Sequence, residues 1–231
     1  MHLWRLFEKM NIKDIIRRYG ISTLGLALIA FGVALSIKSN LGIAPPSCPP
    51  TIFGLKWPVL SVGTYIWMFN ALFIIGQVLI LRSRFKAEDL LQIPAILIFG
   101  YLCDAGIWAL DALEAPATNY AVQLLLSLAA VLVTAVGIHI EVIGNGWMLS
   151  GDKLLNVIEG ETHWRFSTMK IVFDILQVAL TALLAWIWFS TPGGNGETMV
   201  IREGTLILMV ATGLCMKLTD PLIDRIFNAK V

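Results

Sequence analysis

Six apolar runs divide the chain, at Ile21–Ile37, Val59–Leu81, Leu90–Leu110, Ala121–Ile140, Ile171–Ser190 and Gly204–Leu218. Each approaches the roughly 20 residues that a helix needs to cross a bilayer. The runs are continuous and do not alternate, which argues against a membrane β-barrel. The pattern therefore predicts an all-α polytopic membrane protein with six transmembrane helices. Residues 1–20 place Leu3, Phe7, Met10 and Ile15 near one helical face, with basic residues elsewhere. That arrangement suits an interfacial amphipathic segment.

Two polar-apolar mixed stretches interrupt this order, Gly32–Gly54 and Gly137–Gly160. They share a layout. Gly32 and Asn40 are eight residues apart, as are Gly137 and Asn145, and each pair closes an apolar run. Thr64–Asn70 (TYIWMFN) resembles Thr168–Asp174 (TMKIVFD), Gly100 corresponds to Gly213, and Asp104 corresponds to Lys217. The chain thus reads as two repeats, residues 21–116 and 117–231. Three spans per repeat is an odd number, so the second repeat is expected upside down relative to the first, as in many secondary transporters. Each mixed stretch follows the first helix of its repeat and is expected to dip into the membrane as a broken or short helix lining a central cavity. Irregular backbone at that depth needs protein or water around it. Pro45, Pro46, Pro49 and Pro50 are expected to prevent a regular helix across Ala44–Pro50.

Composition supports the class. Apolar residues make up 57% of the chain and charged residues 14%, against roughly 25% charged in a soluble domain. Basic residues gather before the first run, between the second and third, between the fourth and fifth, and after the sixth. The other connections carry Lys38, Lys56 and Arg202. By the positive-inside rule both termini are cytoplasmic. The first run lacks a cleavage signal and is expected to be retained as a span. Cys48, Cys103 and Cys215 are scattered and read as packing residues. No spacing of His, Cys, Asp or Glu suggests a metal site, no cofactor motif occurs, and no basic stripe suits nucleic acid.

Ionisable groups inside spans are costly and mark functional positions or buried partners. Asp104 lies about fourteen residues into the third run, roughly 21 Å along it. It reads either as a proton or cation site or as a satisfied partner near the outer interface. Lys217 reads as snorkelling to an interface. Glu141, Asp152 and Asp174 are expected to form an acidic ring around the second stretch, with Lys170 one turn from Asp174. Arg202 either anchors a helix start beside Glu203 or holds an anionic group. Trp147, inside the second stretch, is placed to stack on a ligand. Asn40 and Asn145, at matching points of the two stretches, complete the substrate-binding or coupling candidates. His139 reads as a packed histidine.

The pieces GVALSIKSNLGIAPPS, LLQIPAILIFGYLCDAG, EVIGNGWMLSGDKL, KIVFD and IREGT together resemble the YczE/YyaS/YitT-like bacterial membrane proteins, and within them the DUF6198 subgroup. The resemblance spans most of residues 17–220. It implies a multi-pass protein of the bacterial inner membrane and implies little about substrate. It places the family's acidic residue of the second segment on Asp152, a family proline on Ser150, and a frequent aspartate of the first segment on Ser47. The expected function is a small secondary transporter or exporter of a polar or amphipathic solute, alternating access between the repeats, with protons as the candidate coupling ion. The expected partners are the bilayer and that solute; a homodimer is left open. Two other classes compete. One is an intramembrane enzyme around Leu149-Ser150-Gly151-Asp152, which lacks the first glycine of the aspartyl-protease motif. The other is an accessory subunit of another membrane machine.

Overall fold

The computed structural model describes residues 12–85, 87–112, 119–144, 146, 149–162 and 166–210. Every regular element among them is helical. In chain order these are α1 (Ile12–Ser39), a 3-10 turn (Pro45–Ser47), α2 (Cys48–Lys56), α3 (Val62–Leu81), two further 3-10 turns (Arg82–Arg84 and Ala87–Leu91), α4 (Gln92–Ala112), α5 (Tyr120–Gly144), α6 (Ser150–Thr162) and α7 (Phe166–Phe189). A further helix, α8, occupies 203–210.

Five described helices, α1, α3, α4, α5 and α7, are long and apolar enough to cross a membrane. They match the first five apolar runs to within a few residues. The sixth run is described only to residue 210, where it is helical. Large apolar side chains face outward in stripes at helical spacing, such as Leu72, Ile75 and Leu79 on α3 and Leu125, Leu128 and Leu132 on α5. A soluble protein rarely exposes contiguous apolar surface of this extent. The chain is membrane-embedded, and these stripes are its lipid-facing sides.

The most enclosed helix is α1, with 56% of its apolar window buried against 22% for α3 and α7. It crosses α5 at close range. A Cβ added to Gly25 would lie 2.7 Å from the Gly137 carbonyl oxygen, and one added to Gly137 would lie 2.9 Å from the Gly25 carbonyl. Glycine at both positions is what lets the backbones approach, as small residues do at membrane helix interfaces. Seven residues on, Gly32 meets Ala130 and Thr134.

Side-chain pairing sorts the described residues to two ends of this bundle. At one end Lys38 pairs with Asp111, Trp57 packs on Trp188 at 4.9 Å, and Arg202 donates to the Asn40 carbonyl. At the other, Arg84 pairs with Glu161 and Lys153 with Asp89, while Ser22 of α1 donates to the Glu141 carbonyl.

Helix α2 qualifies one expectation: no single helix crosses Ala44–Pro50, where a 3-10 turn (Pro45–Ser47) comes first, but the last two prolines do not block α2. It begins at Cys48 and runs through Pro49 and Pro50. In the first turn a proline gives up an N–H that would have no helical partner, and its fixed φ suits the helix. The break falls earlier, at Asn40 (φ 52°) and Gly42 (φ 112°).

Candidate functional site

Short helices α2 and α6 form the last part of the two mixed stretches, after the ends of α1 and α5. Helix α2 packs against α3 and α7, and α6 packs against α7 and α3. Their first turns meet polar groups buried within the bundle.

Around α6 four charged side chains converge. Glu141, in the last turn of α5, is only 6% exposed, and its carboxylate accepts from the Leu149 backbone N–H at 3.2 Å. Asp152 occupies the first turn of α6, where the helix dipole favours a negative charge. Lys170 of α7 lies 3.2 Å from Asp152 and 3.4 Å from Asp174. Asp152 is also close enough to Glu141 and to Asp174 for their charges to repel. Glu141 is poorly placed for the helix dipole, because a carboxylate near a C-terminus meets like charge.

Neutral groups extend the site. Ser150 donates to Asn70 of α3 at 2.8 Å. Gln77 and Gln92 exchange amide hydrogen bonds at 2.9 and 3.0 Å, and Gln77 also donates to the Ser150 carbonyl. Phe73 and Phe173 pack edge to face at 5.3 Å, on either side of Gly151. On α7, Asp174, Gln177, Thr181 and Ala185 form one buried face, and Ala185 packs with Cys48 and Ile52 of α2. Burial raises the Cys48 thiol pKa well above its usual value, and the Asp174 charge adds to the rise. The α7 face therefore links the acidic cluster at α6 to the start of α2.

The other candidates lie apart from this junction. Asp104 accepts from Ser61 Oγ at 2.5 Å and from the Gly63 N–H at 2.7 Å. Its carboxylate thus caps the N-terminus of α3 from a neighbouring helix. Asn40 donates from Nδ2 to the Glu197 carbonyl and accepts at Oδ1 from the Met199 N–H, fixing the connection after α7. Arg202 bonds the Asn40 carbonyl at 3.0 Å and Glu203 at 3.1 Å. The Glu203 carboxyl pKa is lowered by its own backbone N–H and by Arg202. A recess of about 240 Å³ beside this clamp is lined by Ile37, Lys38, Asn40, Glu197 and Thr198. Asn145, Trp147 and Lys217 lie outside the described residues.

Sequence reasoning named Glu141, Asp152 and Asp174 together, and the structure brings them together with Lys170 between two of them. It did not single out Gln177, Asn70, Gln77 or Gln92. The i, i+3 spacing from Asp174 would have found Gln177, since it shares that helix face. Among the described residues, no group of three side chains of the metal-binding types comes together.

Over residues 16–221 the sequence matches the profile of a family described as "Family of unknown function (DUF6198)". No curated protein and no solved structure matches.

Proposed function

Starting from the fact that this chain belongs to the DUF6198 family of unknown function, we propose that it is a secondary transporter built from two inverted three-helix repeats. The solute binds at the junction of α2, α6 and α7, and access alternates as the two units rock. The observation that carries this reading is the exchange of contacts under an offset of 105 residues. Under it α1 and α5 exchange places and keep one antiparallel crossing, with Gly25 at Gly137 and Gly32 at Ala130. The interlock of α2 with α7 and of α6 with α3 maps onto itself in the same way.

This pattern supports a two-fold relation between units whose short helices are traded across the interface. A moving site needs such an arrangement, because each short helix touches both units and changes its surroundings when they shift. The polar contacts come chiefly from the second unit, with Glu141, Asp152 and Asp174 as solute or proton sites and Lys170 as their internal counter-charge. Asp104 is assigned a structural role as the cap of α3, and Asn40 and Arg202 hold the outer hinge of the first segment.

The end carrying Arg17, Arg18, Arg82, Arg84, Lys153 and Lys170 is assigned to the cytoplasm, with both termini there. The likeness to the wider YczE/YyaS/YitT group suggests the bacterial inner membrane. An intramembrane aspartyl enzyme fits less well. It needs two carboxylates facing each other, and here Lys170 lies between Asp152 and Asp174.

Purified protein in liposomes, offered a pool of small metabolites under a pH gradient, is expected to take up at least one of them faster than empty liposomes do. Uptake identical with and without protein across cationic, neutral and anionic solutes contradicts the proposal.

A further inference from the structure

Gln177 is 7% exposed, yet neither of its amide atoms has a hydrogen-bond partner among the described residues; Asp174, also 7% exposed, is met on Oδ1 by Lys170 at 3.4 Å. Gln177 and Asp174 stand one turn apart on α7. Counting from the span start at Met169, Gln177 lies about 12 Å along the helix, near the middle of a hydrocarbon core about 30 Å thick. An unpaired primary amide at that depth is among the least favourable groups to bury. Leucine would fill similar space without the penalty. A polar side chain retained there, with donor and acceptor both unused among the described residues, leaves both for a polar species that enters the junction.

The charge around it gives the sign of that species. Asp152 and Asp174 face one ammonium, Lys170, and the next basic residue, Lys153, is paired with Asp89. An anion would meet net like charge in a medium of low dielectric. The surroundings give its size and character. The Phe73–Phe173 pair borders the cluster, Phe173 adjoining Asp174 in sequence and standing one helical turn from Gln177. Aromatic faces stabilise organic cations. A bare metal ion instead asks for several oxygen or sulfur ligands, and aromatic faces supply none.

We infer that the junction binds a small organic cation bearing an ammonium group, held by the Asp174 carboxylate and the Gln177 amide. The inference deepens the transport reading and rests on it only for what happens to the bound cation. The ammonium group is carried either by a free amine solute or by the headgroup of an aminophospholipid.

The test uses the full chain in phosphatidylglycerol nanodiscs, with thermal unfolding measured against n-butylammonium, n-butanol and butyrate. The amine alone is expected to raise the unfolding temperature. Gln177→Leu is expected to weaken the apparent affinity for n-butylammonium roughly tenfold, and Asp174→Asn to weaken it further. Without ligand, Gln177→Leu unfolds no earlier than the unsubstituted protein, so lost affinity is not lost folding. If phosphatidylethanolamine in the nanodisc competes with the amine, the headgroup is the source; if it does not, the source is the free amine. A response to n-butanol or butyrate equal to that of the amine overturns the inference, as does amine affinity unchanged in both variants. Binding is read without flux. A protein that binds amines and moves none therefore defeats only the transport reading, and one that moves a solute but ignores amines defeats only this inference.

Discussion

Lys170 shows how single residues divide between fold and site. Its ammonium holds two carboxylates, and its side chain is about one-third exposed while that of Asp174 is 10% exposed. Removing one partner of an enclosed pair leaves charge without compensation, which is worse than removing both. Lys170→Met is therefore expected to destabilise the protein by about 2 kcal/mol, discounted for partial exposure. Adding Asp174→Leu to it recovers part of that loss in thermal unfolding. Glu141→Gln keeps an acceptor for the Leu149 N–H, so it is expected to preserve yield and unfolding temperature while removing any proton dependence of uptake. Both acids were legible in the sequence because an ionisable residue in an apolar run draws notice. Gln177 was not. It carries no charge, and only the folded structure shows that its amide is buried without a partner among the described residues.

At the scale of elements, the α1–α5 crossing and the caps are where stability is most exposed to change. Gly25→Val puts side-chain carbons into the Gly137 carbonyl and is expected to cost about 3 kcal/mol or more, seen as lost yield of folded protein. Gly160→Ala is the matched control. It lies in α6 with nothing within 4 Å of an added Cβ, so it is expected to be neutral or to stabilise by about 0.5–1 kcal/mol. Asp104→Ala removes the outside cap of α3 and is expected to lower stability by about 1–2 kcal/mol without changing solute affinity. The spans themselves were plain from hydropathy, because apolar length is a one-dimensional signal. Short helix α2 was harder to read. Four prolines within six residues look like a barrier until two of them fall in a first turn, where no hydrogen bond is lost. For Asp104 the reading as a satisfied partner was within reach and is what the structure shows, but which groups it meets was not, since Ser61 and Gly63 are about forty residues away.

At the scale of the whole molecule, the repeat is read from spacing alone; the structure shows that α2 packs on α3 and α7 and that α6 packs on α7 and α3. In the proposed reading these short helices are traded between two units and enclose a site that neither unit contains. The proposed rocking predicts that this site opens to each side of the membrane in turn. Gly151 reports on it well. An added Cβ there would lie 3.5 Å from Phe73, an ordinary contact, and its neighbours Ser150 and Asp152 belong to the junction. In a background with the native cysteines replaced, Gly151→Cys in vesicles of known orientation is treated with a membrane-impermeant thiol reagent from either side. Labelling from both sides, with the balance between them shifted by n-butylammonium, is the predicted result. Labelling from one side only, at a rate no solute or pH gradient alters, contradicts alternating access.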